Sequence, residues 1–214
     1  MIVIIAAGPG VSGSVARLFA SNGYRVGLLG HDPGALRDLA ASISEDDELV
    51  RWVVADVMDV EALDSAVRGL GENFGRIDVL HFNPSAFRPK HPLDLTVEEL
   101  LSDVAVGVGA LLTSVQASRP FMAAGARITV TGSMAADEPS PDAATLGVQK
   151  AGVRNLVQSI DGHLSSEGIR AVSVTVRGTL AREGAFTPDR VAEAIYAASQ
   201  QDPGSWRTEI PYTG

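Results

Sequence analysis

A turn of small residues supplies the first chemistry in this chain. Gly8-Pro9-Gly10-Val11-Ser12-Gly13 follows directly on the apolar run Met1-Ile2-Val3-Ile4-Ile5-Ala6-Ala7 and precedes the helical Val15-Ala16-Arg17-Leu18-Phe19-Ala20. The spacing is G-x-G-x-x-G. Its glycines allow a tight turn and close backbone approach, while the amides and dipole at a helix start favour a pyrophosphate. By itself such a turn serves equally as a connector; after an N-terminal buried strand it points to a bound dinucleotide. The remaining options are narrow. There is no cysteine, which removes disulfides, thiolate metal sites and a cysteine nucleophile. His81, His91 and His163 lack metal-ligand spacing and read as surface or packing residues.

The elements that must position this turn alternate in type. Ile2-Ile5, Tyr24-Leu29, Leu49-Val54, Ile77-Phe82, Arg127-Thr131 and Arg170-Val176 are short, β-branched and mostly apolar, as strands buried on both faces are. Helical spacers lie between them. Asp32-Pro33 opens a helix over Ala35-Ile43, Asp59 opens Val60-Leu70, and Thr96-Val97-Glu98-Glu99 has capping-box spacing for a long helix toward Ala117. A further helix runs from about Ala143 to Leu164, where Val153, Leu156, Val157, Ile160 and Leu164 recur at helical spacing and read as core. A last helix, Pro188 to Ala198, leads to a strand near Arg207-Ile210. Strands joined by helices imply parallel pairing through right-handed crossovers. The expected fold is a doubly wound α/β sheet, a Rossmann fold of about seven strands with helices on both faces, in a single domain over residues 1–214.

With these elements in place, the chain resembles the short-chain dehydrogenase/reductase family over nearly its whole length. The family's G-x-x-x-G-x-G can be laid on Ala6-Ala7-Gly8-Pro9-Gly10-Val11-Ser12, where Gly10 is the glycine retained and Ala6 and Ser12 take the outer positions. Asp56-Val57 follows the third strand, where the resemblance implies an Asp holding the adenine amino group. Asp78-Val79-Leu80-His81-Phe82-Asn83-Pro84-Ser85 is similar to the family's D-V-L-V-N-N-A-G. Taken singly, Asp56 serves equally to cap a turn and Asn83 to satisfy strand-end backbone. At the end of the second strand, Gly30 stands where NAD-preferring relatives carry Asp and His31 where NADP-preferring relatives carry Arg; Asp32 reads as a helix cap. The resemblance therefore implies a nicotinamide cofactor, with NADP(H) favoured over NAD(H).

The resemblance also implies a chemical end. In the family a tyrosine in Y-x-x-x-K gives the proton that accompanies hydride transfer, a lysine one turn on lowers its pKa and holds the nicotinamide ribose, and a serine polarises the carbonyl. Here the segment reads Leu146-Gly147-Val148-Gln149-Lys150, and counting thirteen back from Leu146 gives Ser133. Ser133 and Lys150 are thus the candidate catalytic residues, but Leu146 has no proton to give. Val106 stands where the family's helical asparagine supports the lysine. Thr145 is adjacent but lies roughly 100 degrees away around the helix. General acid catalysis contributes about 100- to 10,000-fold, so the ordinary route is expected to be crippled. Arg177-Gly178 replaces the family's P-G after the sixth strand, and only a short connector, Thr179 to Thr187, precedes the last helix, so the substrate lid is cut away.

Three functions stay open on these residues: an oxidoreductase acting on a carbonyl or alcohol with an altered proton donor, a catalytically silent dinucleotide-binding sensor or scaffold, and a structural domain whose turn has lost its ligand. The formal net charge of −9 argues against a nucleic-acid partner. No apolar run reads as a membrane span or export signal, so the chain is expected to be cytoplasmic. The Thr96-Ala117 and Ala143-Leu164 helices correspond to those that family members pair across two-fold axes, and Gly107, Gly109 and Ala110 would allow close approach. A homodimer or homotetramer is the expectation.

Overall fold

A computed structural model describes residues 1–46 and 48–214. Strands β1 (Ile2–Ile5), β2 (Val26–Gly30), β3 (Val50–Val54), β4 (Val79–Phe82), β5 (Arg127–Ser133), β6 (Arg170–Val176) and β7 (Glu209–Tyr212) form one sheet in the order β3-β2-β1-β4-β5-β6-β7. Every pairing in it is parallel. The order reverses between β1 and β4, which opens a crevice at the carboxyl ends of those strands.

Helices α1 (Val11–Ser21), α2 (Pro33–Ile43), α3 (Val60–Phe74), α4 (Val97–Val104), α5 (Ala110–Ser118), α6 (Ala144–Leu164) and α7 (Pro188–Ser199) make the crossovers. The starts of α2, α3 and α4 follow from side-chain chemistry. Asp32 accepts from the amides of Gly34 and Ala35, Asp59 from Ala62, and Thr96 closes a reciprocal capping box with Glu99. Gly75 ends α3 in the left-handed conformation, at φ +80°.

Apolar residues on each side of the sheet form two separate cores. One packs Val3, Ile5, Leu80 and Ile128 against α3, α5 and α6, and the other packs Ile2, Ile4, Leu28 and Val174 against α1, α2 and α7. The two edge strands depart from the expectation of burial on both faces. In β3, Trp52 and Val54 are 41% and 47% exposed, because an edge strand has a neighbour on one side only and the helices cover the centre of the sheet. Tyr24 and Arg25 stay outside β2, and β5 runs two residues further than Thr131, through Gly132 to Ser133.

The long helix after Thr96 is broken. Between α4 and α5, Ala105–Gly109 forms a π-helical turn, and a 3₁₀ turn, Arg119–Phe121, ends the rod. By length and composition alone, an 18-residue stretch within Val97–Phe121 is apolar enough to cross a membrane, a test that core helices also pass. Part of its apolar surface packs in the core: Ala110, Leu111, Val115 and Ala117 are buried, in the cluster that includes α3 and α6, while Val97, Leu101 and Leu112 stay exposed.

Candidate functional site

The glycine turn is built around one serine and one close approach. Ser12 Oγ accepts from the Gly8 amide at 3.0 Å and donates to the Ala6 carbonyl at 3.1 Å. Its hydroxyl therefore braces the turn from inside, where 2% of the residue is exposed. A Cβ on Gly13 would meet the Gly8 carbonyl at 2.5 Å, so this third glycine lets helix and turn pack. Gly8 and Gly10 have no atom within 4 Å of where a Cβ would stand. With Pro9 exposed beside them and no side-chain cap on the first amides of α1, the turn fits a phosphate approaching its backbone. Ala6 has φ +59°, a left-handed conformation that suits glycine.

Backbone crowding explains the end of β2. A Cβ on Gly30 would lie 2.9 Å from the Ala7 carbonyl, which disfavours the acidic side chain that NAD-preferring relatives carry there. His31 is exposed, and Asp32 uses its Oδ1 to cap α2 at 2.8 and 3.1 Å. At the end of β3, Asp56 is exposed and accepts from the Met58 amide at 2.9 Å through Oδ1, while Val57 packs against the α3 side of the core.

A cleft of about 430 Å³ lies where these strand ends meet β5 and α6. Gly10, Val11, Asn83, Ser85, Ser133, Leu146 and Lys150 line it together, so residues far apart in sequence from both ends of the reading share one wall. Asn83 Oδ1 accepts from the Thr131 hydroxyl at 2.8 Å. Pro84 is buried, with its carbonyl turned to Lys150, and Ser85 is exposed. Ser133 ends β5, and its Oγ accepts from the Ala135 amide at 3.2 Å, capping the 3₁₀ turn Met134–Ala136. Leu146 stands one helical turn before Lys150 on the cleft side of α6, whereas Thr145 is fully buried.

Lys150 is 5% exposed, and its Nζ donates to the Thr131 carbonyl at 3.0 Å and the Pro84 carbonyl at 3.4 Å. Burial pushes its pKa from 10.5 down to about 8. Among the described residues, no group of three or more His, Cys, Asp or Glu stands close enough to hold a metal.

Sequence reasoning missed the residues that hold the far side of the cleft. Gln149 is fully buried and grips Ala86 at both ends, donating to its carbonyl at 2.8 Å and accepting from its amide at 3.1 Å. Gly107, in the π turn with Val106, allows this, since a Cβ there would stand 3.0 Å from Gln149 Oε1. Arg88 makes two bonds of 2.9 Å to buried Asp103, whose carboxyl it holds below the usual carboxylate range. The available signal was a glutamine at helical spacing from Thr145 and Val153, in an otherwise buried stripe. The connector before α7 packs on itself: the Phe186 ring fills the space a Gly178 side chain would need, and Tyr212 Oη donates to the Ala185 carbonyl at 2.5 Å. Leu180 and Phe87, 51% and 70% exposed, also line the cleft.

Residues 5–204 match the family described as enoyl-(acyl carrier protein) reductase. A curated relative, short-chain dehydrogenase reductase 5 of Arabidopsis thaliana, is 31% identical over 182 residues, covering 83% of this chain and 70% of its own. The chain is a member of the short-chain dehydrogenase/reductase family. An uncharacterized oxidoreductase of Staphylococcus aureus is 26% identical over 176 residues, 81% of this chain and 75% of that one. In fold, this family member is similar to a short-chain dehydrogenase from Burkholderia cenocepacia crystallised with NADP. Those two structures agree at TM-score 0.90 and 22% identity over 98% of this chain and 94% of that one.

Proposed function

We propose that this short-chain dehydrogenase/reductase is an NADP(H)-dependent oxidoreductase that interconverts a small carbonyl compound and its alcohol with an altered proton donor. The observation that carries the reading is the single cleft in which Ser133, Leu146 and Lys150 face the glycine turn and Asn83. Gly8, Pro9, Gly10 and Val11 would surround the pyrophosphate, with Ser12 bracing them from within. Asp56 and Val57 would meet the adenine, and Asn83, Pro84, Ser85 and Lys150 the nicotinamide end. The cofactor supplies the hydride. Ser133 keeps its hydroxyl proton for a substrate oxygen, because its contact with Ala135 uses a lone pair. Lys150 holds ribose hydroxyls with the donor that the two carbonyls leave over. Leu146 gives no proton, which then comes from substrate, water or another subunit.

NADP(H) is favoured over NAD(H) because Asp32 is engaged as a cap and Gly30 has no room for an acid, leaving exposed His31 at the end of β2 to meet a ribose phosphate. The NADP in the Burkholderia relative supports the same choice. Leu112, Val115, Ile160 and Leu164 line an apolar groove between α5 and α6, which supports assembly as a homodimer or homotetramer through these helices, checked by light scattering.

One other reading has its own support: Leu146, Val106 and the self-packed connector favour a protein that binds the dinucleotide without turnover. Titration with NADPH and NADH followed by a carbonyl panel separates the two. NADPH binding with turnover is expected, binding without turnover on any carbonyl selects the silent binder, and no binding at millimolar cofactor overturns both.

A further inference from the structure

His81 is the one fully buried histidine among the described residues, and neither the hydride chemistry nor the cofactor reading uses it. Strand alternation places it with a purpose. His81 and Asn83 share one face of β4 and its extension, and Thr129 and Thr131 share the matching face of β5, with His81 registered against Thr129. Imidazole Nδ1 lies 3.0 Å from Thr129 Oγ1, Nε2 lies 3.4 Å from Thr131 Oγ1, and Thr131 Oγ1 lies 2.8 Å from Asn83 Oδ1. Burial pushes the imidazole pKa down to about 3, so the ring is neutral and carries one proton at ordinary pH.

One proton per link fixes the direction of this chain. An amide oxygen has no hydrogen, so the Thr131 hydroxyl must donate to Asn83 Oδ1. Thr131 then has only lone pairs for the ring, so a hydrogen bond at this 3.4 Å contact places the imidazole proton on Nε2. Nδ1 is left bare and accepts from the Thr129 hydroxyl. Each bond thus points toward the cleft, and at the end the Asn83 amide presents its two N–H donors there. The reverse chain, with the proton on Nδ1 and the amide turned over, would present a carbonyl oxygen instead.

We propose that His81 is a positioning residue: by holding its proton on Nε2 it sets the orientation of Thr131 and Asn83, so that the cleft offers amide donors to an acceptor oxygen of the bound ligand. Thr131 also gives its carbonyl to Lys150 Nζ at 3.0 Å.

Two measurements test this. Long-range proton–nitrogen NMR on the unliganded, 15N-histidine-labelled protein should show His81 with a protonated Nε2 and a bare Nδ1; a protonated Nδ1, or a mixture, overturns the proposal. The second rests on the proposed cofactor reading and uses NADPH as probe. His81→Val and Asn83→Ala should each weaken NADPH by about fivefold, roughly the worth of one net hydrogen bond. The double variant should be no weaker than Asn83→Ala alone. Additive losses would mean that His81 acts only as packing and would overturn the proposal. If NADPH fails to bind the wild type while the proton sits on Nε2, the cofactor reading falls and the donor-presenting chain stands.

Discussion

The two proposed ends of the cleft differ from the family pattern that the sequence resembles in different ways. At the proposed nucleotide end, Ala6 takes a left-handed conformation that suits glycine, at φ +59°, and Ser12 ties the turn together from inside. At the proposed chemical end, the proposed reading has a proton donor missing. Ser133, Leu146 and Lys150 line one wall, yet the middle one is a hydrocarbon. A phosphate is recognised by backbone amides, which any residue supplies if the chain can take the shape. A proton must come from a particular atom, and no backbone geometry replaces it. The first kind of site tolerates substitution, and the second is lost at one position.

The largest effect should come from restoring that atom. Leu146→Tyr puts a phenol one turn before Lys150 in a wall already open to the cleft, and carbonyl-reducing turnover is expected to rise at least about tenfold, part of the 100-fold or more that a general acid supplies. Steady-state assays across a carbonyl panel check this, with NADPH binding by the folded variant as control against overpacking. A variant that binds NADPH and gains nothing would make the chemical end silent for reasons beyond its acid.

A smaller effect tests whether Lys150 serves the cofactor by charge. As pH rises through its lowered pKa of about 8, the ammonium becomes an amine. NADPH binding should then weaken by roughly fivefold, the difference between a charged and a neutral donor. Lys150→Met should bind weakly at every pH without that step, and a step that persists in it would belong to another group. The linkage to folding has the opposite direction. The folded pKa lies below the usual 10.5, so the penalty for burying the cation is full below about 8 and relieved as pH rises toward 10.5.

The smallest effect addresses the nucleotide end. Ala6→Gly removes a left-handed alanine and should raise the unfolding free energy by about 1 kcal/mol, less what glycine returns to the unfolded chain. Denaturant melts check it, and an unchanged or lower midpoint would mean that the turn holds alanine without strain.

Much of this was legible in the sequence because it depends on local chemistry. Asp32, Asp59 and Thr96 announced their helices through caps that act within one turn, and the alternation of apolar runs with helical stretches dictated a parallel sheet. The counted spacing from Ser133 to Leu146 to Lys150 did place these residues in one cleft, because a strand end and a helix turn have fixed geometries. Other features depended on neighbours distant in sequence. His81 read as a surface or packing residue until β4 and β5 paired and set it between two threonines. Ser12 stood only at an outer glycine position of the motif until the turn folded around its hydroxyl. Gln149, Gly107 and the π turn owe their roles to a loop that no local pattern describes. The sequence determined which elements form and in what order, since caps and periodicity act over a few residues. Only the tertiary structure decided which polar groups face the cleft and which are consumed in holding it, because a hydrogen bond between strands exists only once register and burial bring its partners together.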